Sequence, residues 1–555
     1  MSFDDRGGVW SLLLLCFFTF FLGLGRQAIT DSDEAYYAEA SREMVETGDW
    51  LTPRFNYENR FQKPVLYYWL TAATFLVTGP TALGARLWSA AAGLGLVLLA
   101  WAVARQASGR SDASWLAGAI VATCFGYFAM ARSALPDLPL TFCITLGIWA
   151  AFRAADAPRE SGMAPKWWAV AGLGAGLGFL LKGPVAVAVP AIVLLPIAWR
   201  ERRRMRIDPR GVALAALIFA AVGLPWYVAM WREHGNAYLQ SFFVGDNIER
   251  FATERFNDAR PFWFYLPVVL GGMVPWSLYL IDASGRGLTR VIRRTRVLTD
   301  AEWRLLLWAL MPLLFYTLSV GKQPRYILPI LPPLAVLLAR SMVARLDAVS
   351  ARALSGLAGA TWATAALYAL LVLLLIRMEP LLINAYPAAT WIGVCLVGCG
   401  AIGFAWIAVR SGWRRLPAVA AMAAAALLVS VQFGALAGRR PEAVEQMATL
   451  VRAWRSAQEP IGVFGVFTRN LPFYTASKQM ELFDRQQAGA FAQSPERVLL
   501  ILRSNEIAAV ETEAGITLRR LGEVEYLNTA SLRIRTLVRP DPREEIEMVS
   551  LVSNR

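Results

Sequence analysis

Apolar and polar residues follow one another along this chain in long blocks. Apolar windows of about nineteen residues recur near 9–25, 82–104, 113–132, 138–153, 167–181, 184–199, 211–231, 262–281, 303–320, 326–340, 355–376, 389–409 and 416–435. They predict an all-α polytopic membrane protein with about thirteen transmembrane helices. One further apolar piece, 65–79, runs for only about fifteen residues and carries Tyr67, Tyr68 and Trp69 near its start; it is expected to lie in the interface instead of crossing.

Between the first apolar run and that short piece stands a polar segment, 26–64. At about forty residues it far exceeds a connecting loop of about four to six. Asp31-Ser32-Asp33-Glu34 predicts a helix start, with carboxylates set against the positive end of the helix dipole. Ala35, Ala38, Met44 and Val45 give that helix an apolar face, and Gly48 ends it. Trp50, Phe55, Tyr57 and Phe61 follow, aromatic enough to lie at a membrane surface. From about 436 the apolar runs shorten and charges become frequent. There 461–467, 497–502 and 531–538 are predicted strands, and 441–458 and 472–478 helical or turn segments. The expected division is a transmembrane domain over 1–438, with a first outer loop at 26–79, and a small α/β domain over 439–555.

Composition narrows the class. With 56% hydrophobic and 17% charged residues and 21 Trp, the chain is not a soluble enzyme. The net charge of +14 does not call for nucleic acid, because arginine excess in a membrane protein collects on cytoplasmic loops. If 65–79 does not cross, Arg105 and Arg110, 153–166, 200–210 with Arg202-Arg203-Arg204, 286–296, 340–352 and 410–415 all fall on the cytoplasmic side. If it did cross, those clusters would be translocated against the positive-inside rule. The opposite face then collects the 26–79 loop, Pro136-Asp137, Lys182-Gly183-Pro184, the 232–261 loop, 321–325 and the C-terminal domain. Cys16, Cys124, Cys143, Cys395 and Cys399 all lie in apolar spans, so no disulfide framework is suggested, and the single histidine, His234, excludes a multi-histidine metal centre.

That shared face defines the candidate chemistry. Asp33, Glu34 and Asp137 are candidate catalytic acids, able to orient an acceptor, hold a sugar amine or ligate a divalent ion. Lys63, Lys182 and Lys322 are three of only five lysines and lie at outer span ends, as point charges for a phosphate-bearing lipid. Lys322-Gln323-Pro324-Arg325-Tyr326 adds paired cations across a proline-fixed turn, followed by a tyrosine hydroxyl. The 232–261 loop offers Arg250 for phosphate, with Arg255 and Arg260 beyond it; Tyr37 joins the binding set. Glu34 and His234 are the candidates for a divalent ion, which the reading admits but does not require; no other cofactor is expected. There is no G-x-x-x-x-G-K-[ST] loop, no G-x-G-x-x-G after a strand and no serine triad. A glycosyl or phosphoryl donor must therefore arrive already activated on a lipid carrier.

Asp31-Ser32-Asp33-Glu34-Ala35-Tyr36-Tyr37-Ala38-Glu39-Ala40-Ser41-Arg42-Glu43-Met44, Gly48-Asp49-Trp50-Leu51-Thr52-Pro53, Lys63-Pro64-Val65-Leu66-Tyr67-Tyr68-Trp69-Leu70 and Lys322-Gln323-Pro324-Arg325-Tyr326-Ile327-Leu328-Pro329 together resemble the bacterial 4-amino-4-deoxy-L-arabinose transferases. These belong to the protein-O-mannosyltransferase-like, GT-C group of glycosyltransferases. The likeness runs over about 10–340; Gln62 stands where family members often carry Glu before the Lys-Pro. It implies a GT-C fold with juxtamembrane helices in the first periplasmic loop, and a monomer in the bacterial inner membrane. It also implies an undecaprenyl phosphate-linked aminoarabinose donor, a lipid A phosphate acceptor, and polymyxin and cationic-peptide resistance as the outcome. In that setting Asp33 is the acidic residue of the first loop, helped by Asp137, and Lys63, Arg250, Lys322 and Arg325 hold the carrier phosphate during an inverting displacement at the sugar C1. Two other readings compete: a polyprenyl-phosphate-sugar-dependent enzyme acting on protein hydroxyls, and a lipid flippase or transporter, which would carry charges at mid-membrane and repeat-related halves.

Overall fold

Six helices are long and apolar enough to cross a membrane: Ala82–Ser108, Asp137–Asp156, Pro324–Ala348, Leu354–Leu381, Ala388–Arg410 and Trp413–Leu436. Two bent pairs, Ser111–Thr123 with Phe125–Ala131 and Pro209–Gly223 with Pro225–His234, bring the number to eight if each is one span. Length and composition thus establish six to eight spans among the described residues, fewer than the apolar windows alone suggest. The structure is a computed structural model that describes residues 5–158, 162–203, 208–253, 260–293, 297–348, 350–382, 388–436, 441–456, 458–527, 536 and 539–555. Arg204, Arg255 and nearly all of the 531–538 stretch lie outside the described residues.

The short piece forms a helix at Leu66–Thr78, thirteen residues. At 1.5 Å per residue it is about 20 Å long, against roughly 30 Å of hydrocarbon. Tyr67, Tyr68, Thr71, Ala72 and Phe75 are buried, while Leu76 and Val77 are open. Gly79, at φ 70°, ends it, and the Thr81 hydroxyl accepts from Gly84 N–H to start Ala82–Ser108.

The long polar loop is ordered. Its helix, Asp33–Thr47, begins with Asp33 and Glu34 in the first turn and stops at Gly48, whose φ of 70° lets its N–H reach Met44 O. A hairpin follows, β1 (Arg54–Phe55) and β2 (Glu58–Asn59). Asn56 and Tyr57 at its tip both have positive φ, the backbone a two-residue turn needs to match strand twist. The loop is fixed from below by Arg86, which is 1% exposed. Its guanidinium binds both Glu34 oxygens, at 2.7 and 3.1 Å, and the carbonyls of Leu24, Gln27 and Ala28. Glu34 also accepts from the N–H groups of Thr30 and Ala134. Burial favours its neutral form, but Arg86 and these donors outweigh burial and hold its pKa below the usual carboxylate range. A second arginine, Arg132, takes the carbonyls of Thr19, Phe20 and Leu22, at the loosened π-helical end of the first helix, together with the Gln432 side chain.

The C-terminal residues build a five-stranded mixed sheet in the order β4-β3-β5-β7-β6. β3 (Ile461–Phe464) pairs in parallel with β4 (Met480–Leu482) and β5 (Leu499–Arg503). β7 (Ile546–Ser553) runs antiparallel between β5 and β6 (Arg519–Leu527). Predicted strands 461–467 and 497–502 correspond to β3 and β5. β4, β6 and β7 escaped the apolar pattern: β6 is broken by a bulge at Arg520/Gly522, and Glu547 interrupts the run of β7. The sheet's connecting loops grip the first loop. Asp31 accepts from the N–H groups of Thr468, Arg469 and Asn470, and the Asn56 side chain brackets Gln479, donating to its O at 2.7 Å and accepting from its N–H at 2.8 Å.

Removing one partner of a buried ion pair leaves the other charge stranded, at a cost of about 3–5 kcal/mol. Arg86→Ala and Glu34→Ala are therefore expected to lower the unfolding midpoint of the purified protein sharply, whereas Asp33→Asn, at the more open neighbouring position, should leave it within a few degrees. Equal midpoints for all three in a thermal unfolding series would remove the Glu34–Arg86 pair as the loop's anchor.

Candidate active site

Where the first loop, the 236–252 segment and the 319–329 turn converge, they enclose a cavity of about 660 Å³. Its polar end is lined by Asp33, Tyr36, Tyr37, Arg60, Lys63, Asp137, Lys182, Asp246, Arg250, Arg325 and Tyr326. Its other walls are apolar, with Leu140, Val185, Ala188, Phe251, Phe315 and Pro329 among them. Asp137 opens the helix Asp137–Asp156, and Lys182 closes the helix Ala164–Lys182, where Gly183 at φ 73° ends it. Helix ends thus deliver both charges to the same face.

The charges form two clusters, each centred on a buried carboxylate. Asp137, its side chain 5% exposed, takes Lys182 Nζ at 2.5 Å and faces Arg325 Nε at 3.6 Å. Asp246, 3% exposed, takes Arg250 at 2.7 Å and Lys63 Nζ at 3.3 Å. Tyr326 joins the two, because Lys182 Nζ sits 4.7 Å from its ring centroid and Arg250 hydrogen-bonds its hydroxyl. Arg325 also donates to Asp33, whose side chain is 44% exposed and so is the open carboxylate of the three. Burial favours neutral Asp33, yet Arg325, with Arg469 and Arg60 behind it, keeps the acid below the ordinary carboxylate range. Lys63 shifts the other way. Burial, with repulsion from Arg250, Lys182 and Arg60, outweighs Asp246 and lowers its ammonium to about 8.

Among the described lining residues five cations face three carboxylates, an excess of two positive charges beside an apolar channel. That combination suits an anionic head on a hydrocarbon tail.

The structure brings together Asp33, Asp137, Lys63, Lys182, Arg250, Arg325, Tyr326 and Tyr37. Three sequence candidates stand elsewhere. Glu34 is consumed by Arg86 and does not line the cavity, so it cannot serve as a catalytic acid or offer a free ligand oxygen. Lys322 is buried, with its ammonium 2.5 Å from Ser319 O, and closes the turn whose Ser319 and Gly321 face the cavity. His234 Nε2 lies 2.8 Å from Thr52 Oγ1 with its ring against Phe61, and among the described residues no cluster of three His, Cys, Asp or Glu side chains surrounds it or Glu34. Sequence reading missed Asp246, Arg60 and Tyr36. The i,i+4 spacing of Asp246 and Arg250 was the available signal for the first. Arg60 and Tyr36 gave none.

Residues 10–234 match the family described as dolichyl-phosphate-mannose-protein mannosyltransferase. Over 354 residues the chain is 37% identical to the undecaprenyl phosphate-alpha-4-amino-4-deoxy-L-arabinose arabinosyl transferase of Pseudomonas paraeruginosa, covering 63% of each chain. It is 34% identical to the enzyme of the same name from Aeromonas salmonicida over 349 residues, 62% of this chain and 61% of that one. The chain therefore spans somewhat under two thirds of these relatives' length in the matched region. In fold it is similar to the crystal structure of ArnT from Cupriavidus metallidurans bound to undecaprenyl phosphate, with a TM-score of 0.75 at 20% identity over 100% of this chain and 99% of that one. A more distant likeness is the Archaeoglobus fulgidus oligosaccharyltransferase, TM-score 0.55 at 12% identity, covering 92% of this chain and 71% of that one.

An anion held by Lys63 needs its ammonium form. Affinity for a polyprenyl phosphate should fall as pH rises through about 8, and Lys63→Arg should move that limb upward by at least one unit. Because the unfolded chain keeps Lys63 protonated to a higher pH, unfolding stability should rise over the same window, opposite to affinity. A flat affinity from pH 7 to 9.5 would separate Lys63 from the bound anion.

Proposed function

We propose that this chain, a relative of the undecaprenyl phosphate-aminoarabinose arabinosyl transferases, moves 4-amino-4-deoxy-L-arabinose from undecaprenyl phosphate to phosphate groups of lipid A. The observation that carries the reading is the cavity itself, a cationic end with two charges in excess joined to an apolar channel. The names of the relatives supply the sugar and carrier. In this reading the chain crosses the inner membrane about thirteen times, the number the apolar windows give, and the cavity and the C-terminal sheet face the periplasm; the six to eight helices long and apolar enough to cross support the multi-pass part of it. A single chain holds every residue the reaction uses, consistent with a monomer.

The chemistry is a direct displacement at the sugar C1. An oxygen of the acceptor phosphate forms the new bond to C1, the bond from C1 to the carrier phosphate oxygen breaks, and its electron pair leaves with the carrier phosphate. One displacement inverts C1. The acceptor phosphate is already anionic near neutral pH, so it needs positioning more than a base. Lys63 and Arg250, held by Asp246, together with Lys182 and Arg325, held by Asp137, stabilise the charge that grows on the departing phosphate. Both of those carboxylates act through the cations they orient; Asp137 is thus a positioning residue in this scheme. Asp33, the open acid, pairs with the 4-amino group or orients the acceptor. The apolar walls take the start of the polyprenyl chain. Removing anionic charge from lipid A would weaken binding of polymyxin and cationic peptides.

The direct test is mass spectrometry of lipid A from a strain lacking the gene, complemented with the wild type, Lys63→Ala or Asp33→Ala under conditions where the donor is made. A pentosamine mass gained only with the wild type is expected, with either variant lowering transfer at least a hundredfold while still inserting. Unchanged lipid A with the wild type would remove this reading and direct the search to protein glycosylation, where a hydroxyl acceptor would need Asp33 as base.

A further inference from the structure

Of the five cations lining the cavity, four make ion pairs with carboxylates; Arg60 makes none among the described residues, and neither does Arg469, which stands beside it at the Tyr36 ring. Lys63, Arg250, Lys182 and Arg325 are bound to Asp246, Asp137 or Asp33. Arg60 lines the cavity, and among the described residues its guanidinium donates only to the Tyr68 hydroxyl, at 3.2 Å. Arg469, from the C-terminal domain, makes no side-chain hydrogen bond or ion pair with any described residue. Both stand on one ring. The guanidinium carbon of Arg60 is 4.1 Å from the centroid of Tyr36, and that of Arg469 is 5.4 Å from it. The two guanidinium carbons therefore lie within the sum of those distances of each other. Two guanidinium forks at one ring suit a single phosphate, through charge-assisted bonds of about 2.8 Å.

Neither arginine is there by accident of a floppy surface. Arg60 N–H is bonded to Pro53 O at 2.8 Å, at the foot of the β1–β2 hairpin. Arg469 follows Phe467, which has a φ of 55°, and its own N–H donates to Asp31 at 2.7 Å, with Thr468 and Asn470 bound to the same carboxylate. Asp31 is two residues from Asp33, so the turn that carries Arg469 is indexed on the strand of chain that carries the open acid. Tyr36, whose ring both arginines reach, is itself a cavity wall and is braced edge-on by Phe55 at 4.6 Å.

We propose that Arg60 and Arg469, both at the Tyr36 ring, form a second phosphate subsite that takes the phosphate monoester of the lipid acceptor, separate from the four cations that hold the carrier phosphate. The inference rests on the transfer reading above and specifies where its acceptor docks. It gives the C-terminal domain a part in the reaction, as the supplier of a specificity-determining arginine. It also explains why the cavity's positive excess is not cancelled by a fourth carboxylate: a displacement between two phosphates needs two anion sites at once, and a single neutralised cluster would serve only the leaving one.

The test is binding to the full-length protein in nanodiscs with no sugar donor present, so that it does not depend on turnover. The probes are bisphosphorylated lipid A, the same lipid with its phosphates removed, and undecaprenyl phosphate. The wild type should bind the phosphorylated lipid A at least tenfold more tightly than the dephosphorylated form. Arg469→Ala should erase most of that difference, Arg469→Lys should restore part of it, and undecaprenyl phosphate should bind all three proteins within twofold. Binding of lipid A that ignores its phosphates, or is indifferent to Arg469, overturns the subsite. So does a loss confined to undecaprenyl phosphate, which would return both arginines to the carrier site. Unfolding midpoints of Arg469→Ala and Arg469→Lys matching the wild type exclude a folding defect as the cause of the loss.

Discussion

The bond between Glu34 and Arg86 governs everything at this face. A carboxylate and a guanidinium, both nearly inaccessible, are held at 2.7 Å, and the remaining donors of Arg86 go to three backbone carbonyls at the start of the loop. An isolated buried charge is costly, and a pair is tolerated only when every lone pair and proton is answered. Here the answering groups come from the loop and its approach, Leu24, Gln27, Ala28 and Thr30, and from Ala134, so the pair ties the loop to the helices beneath it. So tied, the loop points Asp33 outward toward Arg325, turns Asp31 toward the C-terminal domain and leaves Tyr36 and Tyr37 on the cavity wall.

The cavity uses the same physics less completely. Asp137 and Asp246 each serve two cations, and of the four only Arg325 has a further carboxylate, Asp33, of its own. Lys63 shows the strain most, with a long 3.3 Å bond to a carboxylate that Arg250 binds better. Such a cluster is stable enough to fold yet gains from an incoming phosphate, because the anion supplies the missing charge. In the proposed transfer this is preorganisation: donors stand where negative charge would grow and need little rearrangement when it does. At the opposite end of the same helices the logic is ordinary. Arg304 is matched by Asp156 and Glu201, and Arg110 by Asp112 and Asp347, leaving structural ties between helix ends.

Much of this was legible in the chain. Gly48, the paired acids and the alanine face located the loop helix to within a residue or two, and the lysines and Arg325 pointed to one charged face because each sits at a span end. What stayed hidden depends on distance through space. Glu34 and Asp33 are adjacent and chemically alike; only the position of Arg86, fifty-two residues on, separates an anchor from an open acid. Lys322 looks like its neighbour Arg325 in sequence, but the turn folds its ammonium back on Ser319. Arg60 and Arg469 are more than four hundred residues apart and reach the same Tyr36 ring, the second on a turn that Asp31 holds. β6 carries too many charges for an apolar pattern and β7 is interrupted by Glu547; they are strands because β7 pairs with both β5 and β6.

The most direct measurement is a cryo-electron microscopy structure of the protein with undecaprenyl phosphate bound. The account predicts the phosphate within about 3 Å of Lys63 Nζ, touching at least one of Arg250, Lys182 and Arg325, with the first isoprene units against Val185 and Phe315. A phosphate bound away from Lys63, with the Asp246 and Asp137 clusters unchanged and the apolar channel empty, would contradict it.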